Sequence, residues 1–228
     1  MKGSPEVVIT CLGYPHDVRD TYMNKILPNG QKGMILVDCT TSEANLAKEI
    51  FEKAKSLGIE TLDCPVSGGD VGAREARLTT FVGGNETSLD QVRPLLQSFC
   101  RSINYFGPSG SGQHAKTSNQ IFIASAMIGV VEGMLYAYRA GLDVEKVIQA
   151  CSGGAAQSFS MSAYGPRILK GDMNPGFYVE HFVKDMKIAL DNCERMNLKL
   201  PGLELAKKLY DSLIEDGHGK LGTQALIL

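Results

Sequence analysis

The sequence lacks the marks of a metal-binding, nucleic-acid-binding or membrane-spanning chain. Its closest cysteines, Cys39 and Cys64, are 25 residues apart, so no Cys-x-x-Cys pair with zinc-ligand spacing occurs. The formal net charge is -2, and a sequence pI near 6.1 leaves no basic excess to neutralise phosphates. The central apolar run, residues 121–131, is too short to span a bilayer. We expect no metal, nucleic-acid or membrane partner, and reduced, mostly buried thiols.

What the chain does contain is an ordinary globular composition, with 43% hydrophobic and 21% charged residues in 228 positions. The first half alternates buried β-rich runs with helical patterns, which predicts a Rossmann-like parallel sheet. Strands are predicted at residues 7–12, 34–39, 59–64, 78–82 and 103–106, and helices at 44–57 and 88–100.

The second half has helical spacing only. Helices are predicted at residues 114–140, 144–151, 161–169, 179–196 and 203–217. The change of pattern places a domain boundary near the glycines of residues 107–112. We therefore predict an α/β fold in which an incomplete dinucleotide-binding domain (residues 1–110) precedes an all-helical substrate and dimerisation domain (residues 111–228).

A glycine-rich loop precedes the long helix. Its Gly110-x-Gly112-x-x-Ala115 spacing satisfies a relaxed dinucleotide fingerprint, but no strand–helix–strand unit follows it. We interpret the loop as a hinge that places Lys116 on the first turn of a helix. The helix dipole and partial burial would both favour a neutral amine there, as acid–base work requires. An exposed helix lysine is the alternative.

A second glycine cluster, Ser67-Gly68-Gly69, follows a predicted strand. Ligands bind at the carboxyl ends of strands in open parallel sheets. Two glycines let backbone amides approach an anion, and the serine adds a hydroxyl donor. The cluster fits a small-carboxylate site, and it also fits a simple tight turn.

Three motifs together resemble one family. DCPVSGGDVGAREARLTTFVGG, GPSGSGQHAKTSN and FVKDMKIALD occur in an order and spacing similar to those of the β-hydroxyacid dehydrogenase family, which includes 3-hydroxyisobutyrate dehydrogenase. The resemblance covers nearly the whole chain. It implies hydride transfer between NAD or NADP and a small 3-hydroxy acid or its semialdehyde.

The resemblance also implies roles for individual residues. Lys116 would be the catalytic general acid/base, and Asn119 would contact the substrate on the same helix face. The substrate carboxylate would bind at Ser67, Gly68 and Gly69. The cofactor would contact Leu12, Thr41 and Lys184.

The sequence departs from the family pattern in two places that bear on function. The chain opens on what resembles the fourth strand of the family fold, so we expect an N-terminally truncated cofactor domain with an exposed apolar edge. Gln120 stands where the family has a second asparagine after Lys116. A truncated, non-catalytic relative that dimerises or binds ligands is therefore the alternative to an active dehydrogenase.

The expected partners follow from the same resemblance. They are a small carboxylate substrate and a second copy of the chain, in a homodimer or homotetramer. The expected location is the cytoplasm, or the mitochondrion if an N-terminal segment precedes the sequence.

Overall fold

The computed structural model describes residues 6–228, and the chain divides into two compact units, one ending at Ser118 and one starting at Asn119. The division lies within a helix that begins at Ser111, close to the predicted boundary. The roles predicted for the two domains stay predictions.

Among residues 6–118, the described part of the first unit, there are six strands. They are β1 (Val7–Thr10), β2 (Ile35–Asp38), β3 (Glu60–Asp63), β4 (Val66–Ser67), β5 (Leu78–Gly84) and β6 (Cys100–Gly107). Each of the five predicted strands is present, and β4 was missed because a two-residue strand carries no periodic signal.

Helices α1 (Pro15–Asp20), α2 (Ala44–Ser56), α3 (Gly69–Arg74) and α4 (Glu86–Leu96) connect the strands. A π-helix at Thr21–Ile26 and a 3₁₀ turn at Leu27–Asn29 extend α1. The predictions contained neither this helical segment nor α3. Proline at the start of the first segment and the glycines of the second favour a loop interpretation, although Pro15 occupies the first helical position, where its missing N–H costs nothing.

The sheet is mixed and mostly parallel, which confirms the predicted Rossmann-like fold except for the direction of β5 and, with it, β6. Strands β1, β2 and β3 are parallel, as are β5 and β6, but β5 runs antiparallel to both β3 and β4. The physical reason is the connection from β4 to β5, residues 68–77, which contains the short helix α3. It has fewer than the dozen or more residues that a parallel crossover needs, so β5 returns antiparallel to β4 and to β3, which only two residues separate from β4. Rossmann-like architecture is retained in β1–β3.

Both faces of the sheet are covered. In β2, Leu36 packs in one hydrophobic cluster with helices α1 and α2, whereas Ile35 and Val37 pack on the opposite face with α4. Successive side chains of a strand point to opposite faces, so a continuous apolar strand requires a core on each side. The strand β1 lies at the end of the sheet and pairs only with β2 among residues 6–228. Its Ile9 is 42% exposed. The predicted truncation stays a prediction.

The second unit is helical in the described chain. It contains most of α5 (Ser111–Arg139), then α6 (Val144–Ser152), α7 (Gly165–Leu169), α8 (Val179–Arg195) and α9 (Pro201–Glu215). Its main core joins α5, α8 and α9 through Ala124, Phe182 and Tyr210. The hydroxyl of Tyr210 donates to the carbonyl of Thr223 at 2.8 Å and so fixes the C-terminal 3₁₀ segment.

Helix α5 is the one helix among residues 6–228 that is long and apolar enough to cross a membrane. Core helices of soluble proteins satisfy the same criteria. Its early turns bury the polar side chains of Gln113, Lys116 and Gln120. Length and composition are therefore weak evidence for a bilayer.

Candidate active site at the carboxyl edge of the sheet

The carboxyl ends of the three parallel strands form a polar row in the first unit. Thr10 pairs with Asp38, and Asp38 pairs with Asp63, in direct register across β1, β2 and β3. Asp38 and Asp63 are 8% and 4% exposed. Because parallel strands end at a common edge, the loops that follow them start from adjacent points, as at ligand sites in open α/β sheets.

Hydrogen bonds join the loops after β1 and β2. The backbone N–H of Leu12 donates to the hydroxyl of Thr40 at 2.7 Å. The Asp38 carboxylate accepts from the Thr40 backbone at 3.0 Å and from the Thr10 hydroxyl at 3.1 Å. These bonds hold the two predicted cofactor contacts, Leu12 and Thr41, on neighbouring half-buried loops.

Gln113 fixes the second loop to helix α5. Its side-chain oxygen accepts from the backbone of Ser42 at 2.9 Å, and its amide nitrogen donates to the carbonyl of Thr40 at 2.8 Å. The side chain is 1% exposed. An amide is suited to this position because it donates and accepts at one end of a single side chain. The Thr41 backbone is thus held from both sides.

Asp63 fixes the start of helix α5. Its two carboxylate oxygens accept from the backbone N–H groups of Gly110 at 2.8 Å and Gln113 at 2.9 Å. These N–H groups lack partners inside a helix, and the carboxylate also favours the positive end of the helix dipole. Burial nevertheless raises the pKa of Asp63 to about 6, against the lowering effect of these hydrogen bonds.

Two glycines allow the helix to approach the sheet this closely. A Cβ on Gly112 would lie 2.5 Å from the carbonyl oxygen of Asp63, and one on Gly83 would lie 2.7 Å from the backbone nitrogen of Gly112. Both distances are below any van der Waals contact. The Gly110-x-Gly112 spacing therefore serves close helix–strand packing in this chain.

Lys116 is buried, with 5% of its surface exposed. The alternative of an exposed helix lysine is therefore wrong for this structure. The predicted position on the first turn is also wrong, because α5 starts at Ser111 and Lys116 falls in the second turn. The helix dipole weakens beyond the first turn, so of the two features expected from the sequence the structure shows burial.

The predicted carboxylate loop lies at the end of β4. Ser67 pairs with Thr79 of β5 and is half-buried, whereas Gly68 and Gly69 are exposed. Their φ angles are 131° and 63°, a region that residues with a Cβ rarely adopt. Both interpretations of this cluster remain, because the glycines make a tight turn and also leave their backbone accessible.

The second unit contains the other two predicted site residues, Asn119 and Lys184. Two hydrogen bonds and an ion pair link them: the Asn119 amide donates to Gln120 at 2.7 Å, and the Gln120 amide donates to Asp185 at 2.7 Å. The Lys184 ammonium lies 3.0 Å from Asp185.

Four buried polar residues, two in each unit, were given no role from the sequence. They are Asp63, Gln113, Gln120 and Asp185. Asp63 and Gln113 belong to the quoted motifs, and their position beside a strand end and a helix start was the available signal. The bonds from Asp63 to Gln113 and from Gln120 to Asp185 join residues 50 and 65 positions apart in sequence, which no local pattern reveals.

Two family models match the chain end to end. Residues 1–107 match the NAD binding domain of 6-phosphogluconate dehydrogenase, and residues 110–228 match the NAD-binding domain of NADP-dependent 3-hydroxyisobutyrate dehydrogenase. The two models meet in the glycine loop before α5. NAD or NADP is therefore the cofactor of this protein class, as the motifs predicted.

Individual relatives agree with these models. The chain is 52% identical over 226 residues to the probable 3-hydroxyisobutyrate dehydrogenase-like 1 of Arabidopsis thaliana, covering 98% of this chain and 67% of the relative. It is 35% identical to the 2-hydroxy-3-oxopropionate reductase of Escherichia coli, covering 86% of this chain and 67% of that enzyme.

A solved structure shares the fold. The 3-hydroxyisobutyrate dehydrogenase of Mycobacterium tuberculosis, solved with L-serine, superposes with a TM-score of 0.89 and 29% identity over 97% of this chain and 78% of that chain. Relatives named as dehydrogenases and reductases do not favour the non-catalytic alternative. The chain therefore belongs to the β-hydroxyacid dehydrogenase family of NAD(P)-dependent oxidoreductases.

Proposed function

We propose that this hydroxyacid dehydrogenase acts on a small 3-hydroxy acid or its semialdehyde and that Lys116 is its general acid/base. The observation that carries the proposal is the burial of Lys116 on the helix that Asp63 and Gln113 fix at the carboxyl edge of the sheet. A buried amine exchanges a proton more readily near neutral pH than an exposed one does.

The residues at this edge fit a bound nicotinamide cofactor. Leu12 and Thr41 lie on loops that hydrogen bonds hold in place, and both are half-buried. The neighbouring hydroxyl of Ser42 is buried with no hydrogen-bond partner among the described residues. A polar ligand group at this loop would supply one. We propose Leu12, Thr41 and Lys184 as cofactor contacts.

The protein's chemical contribution is orientation and one proton. When bound, NAD(P) exchanges a hydride with the substrate carbon. In the reductive direction the Lys116 ammonium gives its proton to the carbonyl oxygen, which becomes the hydroxyl. In the oxidative direction the neutral Lys116 amine takes the hydroxyl proton. Ser67, Gly68 and Gly69 would bind the carboxylate, and Asn119 would contact the substrate beside Lys116 along α5.

The substrate class follows from small acids associated with the relatives. One relative is named as acting on 2-hydroxy-3-oxopropionate, and another was solved with L-serine. Both molecules are three-carbon carboxylates with an oxygen function on the third carbon. A carboxylate loop and a lysine at the other end of the substrate suit this shape.

The test compares Lys116→Ala and Lys116→Arg with the control Lys146→Ala, whose lysine is exposed on α6. We expect Lys116→Ala to lower kcat by about 10²- to 10⁴-fold with 3-hydroxyisobutyrate or L-serine. Its affinity for NADPH or NADH, followed by fluorescence, should be unchanged. Full turnover by Lys116→Ala would refute the role of Lys116, and cofactor binding without turnover by the unaltered chain would support the non-catalytic alternative.

We also propose a homodimer or homotetramer formed through the helical unit. The side chains of Phe122, Tyr136 and Tyr138 on α5 are 74%, 76% and 69% exposed. Burial of such a surface stabilises a partner interface. Sedimentation of the chain and of Phe122→Ser would test this. The proposed location is the cytoplasm, with the mitochondrion as the alternative, since the Arabidopsis relative is named as mitochondrial.

A further inference from the structure

Two hydrogen bonds and one ion pair join four side chains of the second unit into a polar chain. It starts with the ion pair between the Lys184 ammonium and the Asp185 carboxylate, continues from Asp185 to the Gln120 amide, and ends at the Asn119 amide. The middle members are buried, with Gln120 at 2% and Asp185 at 3% exposure. Asn119, at the end of the chain, is half-buried.

The chemistry of Asp185 sets the direction of every bond in this chain. An ionised carboxylate only accepts, and an ammonium only donates, so the end of Gln120 that faces Asp185 must be its NH₂ group. The oxygen of Gln120 then faces Asn119. Only the NH₂ group of Asn119 can donate to that oxygen, at 2.7 Å.

The reversed arrangement is costly because the middle of the chain is buried. Turning Gln120 by 180° would place its oxygen against the Asp185 carboxylate and leave two acceptors facing each other. A buried polar group without a partner loses its full hydration energy. The orientation of the Asn119 amide is therefore determined by Asp185, which Asn119 reaches through two successive hydrogen bonds.

We propose that Gln120 is a positioning residue that fixes the Asn119 amide with its side-chain oxygen turned away from the chain, as an acceptor for a hydroxyl or ammonium group of the ligand. This inference rests on the proposed function, in which Asn119 contacts the substrate. It identifies the ligand class as one that donates a hydrogen bond at this point, as hydroxy acids do and their O-methyl ethers do not.

It also gives a physical role to the departure of residue 120 from the family's asparagine. An asparagine at position 120 is one methylene shorter than glutamine. It would leave at least one of the 2.7 Å bonds to Asn119 and Asp185 unmade if the backbone is unchanged.

The kinetic test compares Gln120→Met with Gln224→Met. Gln224 is a fully buried glutamine of the same unit. It donates to the carbonyls of Asp172 and Asn174, and neither residue belongs to the polar chain from Asn119 to Lys184. Both variants lose amide hydrogen bonds, so both are expected to lower the unfolding temperature. Only Gln120→Met should raise KM for a 3-hydroxy acid, by about 3- to 10-fold, since one neutral hydrogen bond is affected. Equal KM values for the two variants would refute the positioning role.

A second test depends on hydrogen-bond direction alone and requires no turnover. Asn119→Asp places an acceptor against the Gln120 oxygen, and Asp185→Asn removes the fixed acceptor. In the double variant Gln120 can turn around, donate to the new carboxylate at position 119 and accept from the new amide at position 185. The double variant should therefore unfold at a higher temperature than the sum of the two single losses predicts. Additive losses would refute the fixed direction.

The two tests separate this inference from the proposed function. If Lys116→Ala retains full turnover, the acid/base proposal fails. The unfolding temperatures of the Asn119→Asp and Asp185→Asn double-mutant cycle would still show whether the hydrogen bonds through Gln120 have a fixed direction. If the cycle shows coupling and Gln120→Met leaves KM unchanged, the chain is structural and the positioning inference fails. Binding of the O-methyl ether of the substrate, measured by calorimetry, should be about 3- to 10-fold weaker in the unaltered protein and equal to that of the hydroxy acid in Gln120→Met.

Discussion

The carboxylate of Asp63 accepts a hydrogen bond of 2.9 Å from the backbone N–H of Gln113, which lies 50 residues further along the chain. This bond connects the end of strand β3 to the first turn of helix α5. Four residues after Asp63 the predicted carboxylate loop begins, and three residues after Gln113 stands Lys116. One buried anion therefore sets the relative position of two proposed site elements.

The first prediction concerns the pH dependence of this contact. The folded-state pKa of Asp63 is about 6, whereas an unfolded aspartate has a pKa of about 4. Between these values the folded chain holds a proton that the unfolded chain has lost, so this group's contribution to stability falls as pH rises through the window. Asp63→Asn removes the contribution and also turns an N–H towards the helix N-terminus.

We expect Asp63→Asn to be less stable than the unaltered chain by about 1–3 kcal/mol, with the larger loss at pH 4 and the smaller at pH 7. Chemical denaturation at a series of pH values measures the difference. The exposed Asp90→Asn serves as control. A loss that is constant from pH 4 to pH 7 would show that Asp63 does not titrate in this window.

The second prediction concerns the close approach of α5 to the sheet. In Gly112→Ala the added Cβ would meet two backbone carbonyl oxygens, those of Phe81 and Asp63, and backbone cannot move aside as a side chain can. We expect a loss of about 3 kcal/mol or more in the free energy of unfolding. Gly133→Ala on the same helix meets nothing within 4 Å, and it should gain about 0.5–1 kcal/mol from helix propensity. Equal effects of the two substitutions would contradict the tight contact.

The third prediction concerns the loop between Thr40 and Ser42. Gln113→Glu keeps the shape of the side chain but replaces the donor to the Thr40 carbonyl with a second acceptor. The loop should move, so stability should fall by about 1–3 kcal/mol and the Kd for NADPH or NADH should rise. Thermal unfolding and fluorescence titration measure both. The exposed Gln91→Glu is the control. If Gln113→Glu is destabilised but binds the cofactor with unchanged affinity, the loop of residues 40–42 does not contribute to cofactor binding.

Much of the fold follows from sequence periodicity. The apolar run of β2 predicted a strand buried on both faces, and Ile35, Leu36 and Val37 do pack on alternating sides. The helical spacing of residues 44–57 predicted α2 within one residue. Periodicity succeeded here because burial on one or both faces is the same physical cause that shapes the sequence.

Periodicity failed where direction and local turn geometry decide the structure. The antiparallel β5 cannot be distinguished from a parallel strand by its residues, because both expose the same alternation of side chains. The start of α5 was placed three residues too late, which put Lys116 in the wrong turn. Gly112 adds nothing to the helical periodicity of α5, and only the tertiary structure shows its close contact with the sheet.

The sequence by itself determined the family, the candidate lysine Lys116 and the glycine loops, because the order and spacing of motifs are read directly along the chain. Only the tertiary structure decided how these parts are held. A buried carboxylate or amide needs partners, and Asp63, Gln113 and Gln120 each have one that lies 50 or more residues away in sequence. The motif around Lys116 identifies it in the sequence, but only the tertiary structure shows that its side chain is buried.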